Sequence, residues 1–414
     1  MTPPAARARP SAAVYRRRRI TVFGGLGLAL VIAFYLPLTT LAPLRAADPV
    51  PVAAEVPVAA AADLAWPGYG AAAIGAVGYP GVLARAGSTD ALPMASITKV
   101  ITALVVLDEK PLGVDESGPT YVTTSADVAL WSTYLAQRGK VAPVSAGMSL
   151  TQRQLLELTL IESANNYATT LARWAFGSDA AFVEAASDWL DARGLDGIRV
   201  VEPTGIDARN VGTVDALVAL GALALADPVV AQIVETERST VPGVGAIENT
   251  NELLGSLGVD GIKTGTLDSF GANLLFSAEQ SVGAHTVQVV GVVLGGPDHD
   301  VLDAGISRLL GTVAEGFHEV VVADAGEPFA NYRTVWEAEA TAVAASTETL
   351  LVWSDSPVTM DVQLDELRDG DAGDPLGRAT FSSGPATVSV DLVLDVDVDD
   401  PGPWWRLVNP AALF

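Results

Sequence analysis

The stretch Ala95–Lys99, with the sequence ASITK, places Ser96 three residues before a lysine and directly ahead of the apolar run Val100–Leu107. The run predicts a buried helix, and residues three apart on a helix lie on one face, about one turn apart. The Ser96 hydroxyl and the Lys99 amine can therefore meet. A serine becomes nucleophilic when a base removes its proton, and a buried lysine can be that base. Alone, the spacing is equally typical of a helix cap with a surface lysine.

A second polar pair lies between two segments of helical period, 151–161 and 167–174. In this connection Ser163 and Asn165 offer a hydroxyl and an amide that can both point into one cleft. The alternative is that they cap the following helix, as such residues usually do.

A third segment, Val259–Thr266, is predicted as a strand that ends near a glycine. Glycine in a strand often marks the close approach of a ligand or of another backbone. Lys263 and Thr264 could hold a carboxylate through a charge-assisted bond and a hydroxyl. An exposed edge strand protected by a lysine is the alternative.

Composition limits the classes of function. The chain has 414 residues, is 50% hydrophobic and carries a formal net charge of −25. Seven of its 24 Lys and Arg lie in the first 45 residues, which contain no acid, so the rest is strongly acidic. Such a body disfavours a nucleic-acid partner. No cysteine is present, which excludes disulfides and thiolate metal sites. Because His285, His299 and His318 show no ligand spacing, they are predicted to be surface or structural residues, and neither metal nor cofactor is expected.

The N-terminal segment resembles a membrane address. Arg16–Arg19 precede an apolar run over 20–36 that extends to residue 42, and about 20 residues span a bilayer. Arginines on one side predict a cytoplasmic N-terminus and a single-pass protein of the cell membrane with an extracytoplasmic body. If the segment is instead a cleaved signal, the body is secreted. Residues 46–64, rich in Ala and Pro, are predicted as an extended linker.

Downstream, a hairpin is predicted over 71–85, further strands over 272–278 and 286–294, and a helix over 300–318. After about residue 326 short alternating segments separated by turns predict a small β-rich domain. The acids that follow are predicted to lie on a solvated strand face, with a calcium site as the alternative: Asp395, Asp397, Asp399 and Asp400. Trp404 and Trp405 are predicted to pack rather than to form a sugar platform.

The three motifs, Ser96/Lys99, Ser163/Asn165 and Lys263-Thr264-Gly265, occur in the order found in penicillin-binding proteins and class A β-lactamases. The chain resembles the D-alanyl-D-alanine carboxypeptidases, the low-molecular-mass penicillin-binding proteins of serine peptidase family S11. The segments Glu202–Asp207 and Asn249–Leu254 add to this similarity, which covers roughly residues 66–318. One departure is Ala164, where the family more often has glycine.

The resemblance implies an α/β (α+β) fold, with a β-lactamase/transpeptidase-like domain whose antiparallel sheet is flanked by helices. The expected segments are an Arg-rich tail with a transmembrane segment (1–45), the linker (46–64), the catalytic domain (65–322) and the C-terminal β domain (328–414).

It also implies a serine-type D-Ala-D-Ala carboxypeptidase acting on peptidoglycan stem peptides and acylated by β-lactams. Ser96 would be the nucleophile and Lys99 its base. Ser163 would relay a proton, and Asn165 would hold the substrate and orient the base.

For the substrate, the resemblance implies a carboxylate site formed by Lys263, Thr264, Gly265 and Thr266, and an oxyanion hole formed by the N–H groups of Ser96 and Thr266. Two alternatives remain. One is a serine β-lactamase that uses Glu202 to deacylate. The other is a membrane-tethered, wall-binding protein without activity.

Overall fold

The computed structural model describes residues 11–53 and 58–413. The chain divides into two compact units. The larger unit comprises Val58–Glu319 and Leu351–Ser356, and the smaller unit comprises Met1–Pro57, Val320–Leu350 and Pro357–Phe414.

The α-helices of the described residues are, in chain order, α1 (Ala12–Leu30), α2 (Leu36–Thr40), α3 (Thr98–Glu109), α4 (Ser125–Ala136), α5 (Gln152–Leu160), α6 (Asn165–Phe176), α7 (Asp179–Asp191), α8 (Val214–Ala226), α9 (Pro228–Glu235), α10 (His299–Val313) and α11 (Gly402–Val408).

The strands are β1 (Val50–Pro51), β2 (Ala71–Ala76), β3 (Ala84–Gly87), β4 (Leu92–Pro93), β5 (Thr120–Val122), β6 (Ser149–Thr151), β7 (Ile198–Arg199), β8 (Val211–Gly212), β9 (Arg238–Val241), β10 (Gly245–Glu248), β11 (Val259–Leu267), β12 (Gly271–Val282), β13 (His285–Gly296), β14 (Phe317–Ala323), β15 (Pro328–Arg333), β16 (Glu339–Ala344), β17 (Glu348–Trp353), β18 (Thr359–Leu364), β19 (Pro375–Ser383) and β20 (Ala386–Leu394).

The larger unit is built on an antiparallel sheet with the strand order β11-β12-β13-β2-β3. One face packs on a helical layer that includes the apolar side chains of α3, α5, α6 and α8. The opposite face packs on α10 through Leu302, Ile306 and Leu309. The prediction of an antiparallel sheet flanked by helices is confirmed, and the long apolar strands follow from burial on both faces.

Local signals set the ends of the helices that carry the motifs. Thr151 caps α5 and forms a capping box with Gln154, which satisfies backbone donors at the first turn. α6 begins at Asn165 and ends at Gly177, which adopts a left-handed conformation with φ +83°; glycine takes this conformation without the steric cost of a side chain. The connection between α5 and α6 therefore places the second motif at a helix start.

The smaller unit contains a sheet with the order β1-β15-β16-β20-β19-β18. Val50 and Pro51, inside the predicted linker, pair with β15 as an edge strand, and Ala47 bridges to Leu367. This part of the linker is therefore built into the β-rich unit and is not free chain. Val and Pro suit an edge position, since proline lacks the N–H that a central strand must donate. Residues 54–57 of the same segment lie outside the described residues.

The N-terminal helix runs from Ala12 to Thr40 as α1, a π-helical turn and α2, and an 18-residue window within it has a mean hydropathy of 2.1. Its 29 residues exceed the roughly 20 needed to span a bilayer. No residue from Ala12 to Tyr35 is buried. This helix fits a membrane anchor or a signal sequence.

Two expectations are corrected in detail. The helix predicted over 300–318 ends at Val313, and His318 lies in β14. The acids that follow Leu394 lie beyond β20, so they do not form a strand face. Asp395 and Asp397 instead accept backbone N–H bonds, from Thr341 and Ala372.

Two other predictions concern the same C-terminal region. Trp405 packs edge-on against Trp336 with ring centroids 6.1 Å apart, as predicted, whereas Trp404 is 76% exposed. In the part of the chain that the structure describes, no group of three His, Asp or Glu side chains could hold a metal ion.

The packing of the central sheet can be tested at the contact between Gly291 and Phe276. The two residues are paired across β13 and β12, and a Cβ on Gly291 would lie 2.1 Å from the buried Phe276 ring. We expect Gly291→Ala to lower the unfolding free energy by about 1–3 kcal/mol through overpacking, measured as a lower denaturant midpoint.

Gly311→Ala is the matched control, because Gly311 lies on α10 with open space around it. This change should be neutral or stabilising by up to about 1 kcal/mol. A Gly291→Ala protein as stable as the wild type would contradict the packing described.

Candidate functional site

The first motif lies at the start of the central helix of the larger unit. Ser96 lies in a 3-10 turn, Ala95–Ile97, which leads into α3. The Lys99 Nζ atom is 2.7 Å from Ser96 Oγ and 2.8 Å from the carbonyl oxygen of Thr204. The spacing of three residues therefore brings the amine to the hydroxyl.

The surroundings of Lys99 favour its neutral form. Its side chain is 0% exposed. Burial lowers the pKa of Lys99 from 10.5 to about 7, against the opposing effect of the Glu202 charge. An amine with a pKa near neutrality can both accept and release a proton at physiological pH. Here Lys99 is a base within reach of a hydroxyl.

The second motif enters the same cleft from the loop between α5 and α6. Ser163 is 4% exposed and adopts a positive φ of 59°, a conformation that is uncommon for non-glycine residues. The backbone N–H of Asn165 donates to the carbonyl of Lys140 at 2.8 Å. Asn165 was expected to orient Lys99, but in the structure the amine contacts Ser96 and the Thr204 carbonyl.

The third motif supplies a second buried lysine from β11. Lys263 is 1% exposed, and its Nζ atom lies 3.3 Å from the hydroxyls of both Thr250 and Thr264. Burial, with the like charges of Lys99 and Lys140, lowers the pKa of Lys263 well below its usual range. Any anion that enters this position would meet a lysine held ready with two hydroxyls beside it.

Gly265 lets β11 approach the serine turn. A Cβ at this position would lie 3.0 Å from the carbonyl of Met94 and 3.1 Å from the Ser96 nitrogen. Asn273 of β12 secures the same junction by donating to the carbonyl of Pro93 at 3.0 Å. The absent side chain keeps the backbone around Ser96 and Thr266 close enough to act on one substrate atom.

His299 was missed by the sequence analysis. It is the first residue of α10, and its Nε2 atom lies 2.8 Å from Thr266 Oγ1, at the end of the third motif. The pKa of His299 is lowered by burial and by Lys263, against the opposing effect of Glu252. The sequence predicted a surface or structural histidine, and the structure places this residue in the lining of the cleft. Its 33-residue separation from Thr266 left no local pattern to detect.

The turn after β7 was recognised only as a family feature, and its contacts identify a further missed group. The Glu202 carboxylate accepts bonds from backbone and side-chain donors of its own turn. Oε2 accepts from the nitrogen and hydroxyl of Thr204, and Oε1 accepts from the nitrogens of Gly205 and Asp207 and from the Asn210 amide. Thr204, held in this way, presents its carbonyl to Lys99.

Members of all three motifs border one cavity of about 720 Å³. Its lining includes Ser96, Ser163, Asn165, Thr264, Gly265, Thr266 and His299. The two buried lysines contact this lining, Lys99 at Ser96 and Lys263 at Thr264. Three distant segments of chain thus place hydroxyls and amines around a space large enough for a peptide end or a small ligand.

Comparison with known proteins agrees with this arrangement. The sequence pattern of the D-alanyl-D-alanine carboxypeptidase family, Peptidase S11, matches residues 79–298. A D-alanyl-D-alanine endopeptidase of Pseudomonas aeruginosa is 35% identical over 164 residues, 40% of this chain and 48% of that protein. The D-alanyl-D-alanine carboxypeptidase DacA of Escherichia coli is 27% identical over 246 residues, 58% of this chain and 59% of that protein. The chain therefore spans about half the length of the curated relatives it matches.

Solved structures support the fold. Penicillin-binding protein 5 of Haemophilus influenzae aligns with a TM-score of 0.56 at 18% identity, covering 84% of this chain and 100% of that one. A peptidoglycan synthesis regulatory factor of Streptococcus pneumoniae aligns with a TM-score of 0.57 at 22% identity, covering 81% of this chain and 100% of that one. With the family match spanning more than half of its residues, the chain belongs to the D-alanyl-D-alanine carboxypeptidase family of serine peptidases.

Proposed function

We propose that the protein is a serine-type D-Ala-D-Ala carboxypeptidase that removes the terminal D-alanine from peptidoglycan stem peptides. The observation that carries this proposal is the buried Lys99 amine, 2.7 Å from the hydroxyl of Ser96, which lines the same cavity as Thr264 and Thr266. This geometry pairs an activated nucleophile with a site for a carboxylate.

Acylation would begin when Ser96 Oγ attacks the carbonyl carbon between the two D-alanines and its proton passes to Lys99 Nζ. The negative oxygen of the tetrahedral intermediate would lie between the N–H groups of Ser96 and Thr266. Each donor of this kind typically contributes about 2.7–4 kcal/mol to lowering the barrier. The C–N bond then breaks, and Ser163 relays a proton to the departing amine. Water subsequently hydrolyses the ester on Ser96.

The terminal carboxylate of the substrate would bind where β11 faces the cavity. Lys263 supplies positive charge, and Thr264 and Thr266 supply hydroxyl donors, which together favour a charge-assisted site. His299, bonded to Thr266, lies at the same end of the cavity. A substrate whose last residue carries a free carboxylate would therefore be held with its penultimate carbonyl at Ser96.

A β-lactam would acylate Ser96 in the same way and leave slowly, because this site offers no free deacylating carboxylate from Glu202. Both Glu202 oxygens accept bonds from their own turn. A carboxylate engaged in this way is a poor general base for a water molecule. This observation favours a carboxypeptidase over a serine β-lactamase.

The N-terminal helix would anchor the protein in the cell membrane, with the four arginines Arg16–Arg19 on the cytoplasmic side and the catalytic unit outside. This placement gives the active site access to peptidoglycan. The family membership supports it, because the proposed substrate lies outside the cytoplasm.

Mass spectrometry of muropeptides tests the reaction. The full-length protein in detergent should convert pentapeptide muropeptides into tetrapeptides and free D-alanine, and Ser96→Ala should not. Cleavage of cross-linked dimers with pentapeptides left intact would instead indicate an endopeptidase, the activity in the printed name of the P. aeruginosa relative. Fast turnover of a chromogenic cephalosporin would support the β-lactamase, and absence of both cleavage and penicillin labelling would support a non-catalytic wall-binding protein.

The pH dependence of acylation tests the role of Lys99. Because neutral Lys99 is the base, the rate of labelling by fluorescent penicillin should rise with pH, with a midpoint near the Lys99 pKa of about 7. Lys99→Ala should slow labelling by about 10²–10⁴-fold at a pH above this midpoint. Lys110→Ala is the control, since Lys110 lies over the Trp174 ring, outside the cavity lining. Near-wild-type labelling of Lys99→Ala would exclude the base role.

A second pH effect tests His299. Because the pKa of His299 is lowered from 6.5, its imidazolium forms only under acidic conditions. The imidazolium donates a hydrogen bond to Thr266 Oγ1, and the Thr266 hydroxyl can then donate its own hydrogen bond to the substrate. We expect acid to lower KM for a carboxylate-terminated substrate. His299→Gln should remove roughly fivefold of that gain, the difference between a charged and a neutral hydrogen bond.

The matched control for that experiment is His285→Gln, on the surface beside Glu319. A KM profile identical in the wild type and His299→Gln would show that the histidine takes no part in binding the carboxylate.

A further inference from the structure

The turn that carries Glu202 is packed directly against the catalytic serine turn. A Cβ on Gly205, whose φ is +84°, would lie 1.8 Å from the carbonyl oxygen of Ala95. Thr102 of α3 donates to the carbonyl of Pro203 at 2.7 Å. Any shift of this turn would therefore change the positions of Ser96 and Lys99.

Two neighbouring carbonyls of the turn thus engage α3, and one of them receives the Lys99 amine. The nitrogen and the hydroxyl of Thr204 lie 2.8 Å and 2.7 Å from the same Glu202 oxygen, while the Thr204 carbonyl lies 2.8 Å from Lys99 Nζ. Glu202 therefore holds Thr204 in place, and Thr204 in turn holds the Lys99 amine. Glu202 acts on the position of Lys99 through Thr204.

We propose that Glu202 is a positioning residue for the catalytic lysine, holding the Thr204 carbonyl on the amine and supplying the negative charge that balances Lys99 when it takes the serine proton. This inference goes beyond the reaction proposed above and rests on Lys99 being its base.

The positioning part follows from the valence of the amine. A neutral amine has two N–H donors and one lone pair, and the lone pair must point at the Ser96 hydroxyl to remove its proton. An N–H donated to the Thr204 carbonyl leaves the lone pair free to face Ser96, 2.7 Å away. If Thr204 were not held, the amine could rotate within its pocket and present an N–H to the hydroxyl.

The charge part follows from the groups around Lys99. Burial opposes its ammonium form and the Glu202 charge favours it, while a charge on Lys99 disfavours the charged form of the neighbouring Lys263. Lys140 and Glu162 act on Lys263 with opposite signs. Removing the Glu202 charge should therefore lower the pKa of Lys99 further. The amine would then be neutral over a wider pH range, but would be a weaker base.

The experiment compares three variants of the full-length protein in detergent. Glu202→Gln removes the charge and replaces one acceptor oxygen with a donor. Glu202→Asp keeps the charge but shortens the side chain, which breaks its reach to the turn. Thr102→Val loosens the same turn at Pro203 and leaves Glu202 untouched. Thermal unfolding of each variant reports whether the fold survives.

The first readout is the pKa of Lys99 itself, which needs no substrate. The chain has only four lysines, Lys99, Lys110, Lys140 and Lys263, so NMR of protein labelled with ε-¹³C lysine should resolve each titration. Signals are assigned by Lys→Arg replacement of Lys110 and Lys140. We expect a Lys99 midpoint of about 7 in the wild type, a lower midpoint in Glu202→Gln, and little change in Glu202→Asp and Thr102→Val.

The second readout is acylation by fluorescent penicillin as a function of pH. In Glu202→Gln the acidic limb should move to lower pH and the plateau should fall by about tenfold or more, short of the 10²–10⁴-fold expected for loss of the base itself. Glu202→Asp and Thr102→Val should lower the plateau without moving the limb.

An unchanged Lys99 titration in folded Glu202→Gln would overturn the charge role. An unchanged plateau in both Glu202 variants would overturn the positioning role. If Glu202→Gln does not fold, Glu202→Asp tests positioning through its plateau. Because Glu202→Asp retains the charge, a Lys99 midpoint well below the wild-type value in this variant would overturn the charge role. If the wild-type protein shows the Lys99 titration but is never acylated, the proposed function is rejected. The effect of the Glu202 charge on the pKa of Lys99 is still decided by the NMR titration.

Discussion

The site depends on one close contact between strand and turn, where β11 passes the backbone of Ser96 with only the hydrogen atoms of Gly265 between them. This contact brings the third motif to the first, so that Thr264 and Ser96 line the same cavity. A side chain at 265 would require the strand or the serine turn to shift. The bond from Asn273 to the Pro93 carbonyl holds the same junction from the next strand. The central sheet is therefore a scaffold that sets this separation.

The motifs themselves could be predicted from the sequence because each is short and contained within one element. Ser96 and Lys99 share one helical start, and Lys263 to Thr266 follow one another on one strand. His299 and Glu202 could not be assigned, because their partners are distant in sequence or are backbone groups. Every residue has a backbone carbonyl, so the sequence does not indicate that the carbonyl of Thr204 accepts a bond from Lys99.

In the fold, too, elements with a local sequence pattern could be predicted, and those that depend on distant partners could not. Helices of the larger unit were predicted where apolar residues recur at helical spacing, as over 151–161 and 167–174, and the structure places α5 and α6 there. The edge strand at Val50–Pro51 was not predicted, since two residues in an Ala- and Pro-rich segment carry no period. Its pairing is set by the open edge of β15 and not by its own sequence. Helix α10 was predicted to extend too far, because the apolar residues beyond Val313 include those of strand β14 and do not continue the helix.

Two buried lysines beside one cavity are costly, because burial opposes the charged form of each and Lys99 further opposes the charged form of Lys263. In the proposed mechanism the two lysines need opposite charge states. A carboxylate that enters beside Lys263 would introduce a negative charge, which raises the pKa of that lysine and favours its ammonium form. That positive charge would in turn disfavour protonation of Lys99, the amine beside Ser96. A bound carboxylate would thereby favour the protonation states that the proposed acylation requires.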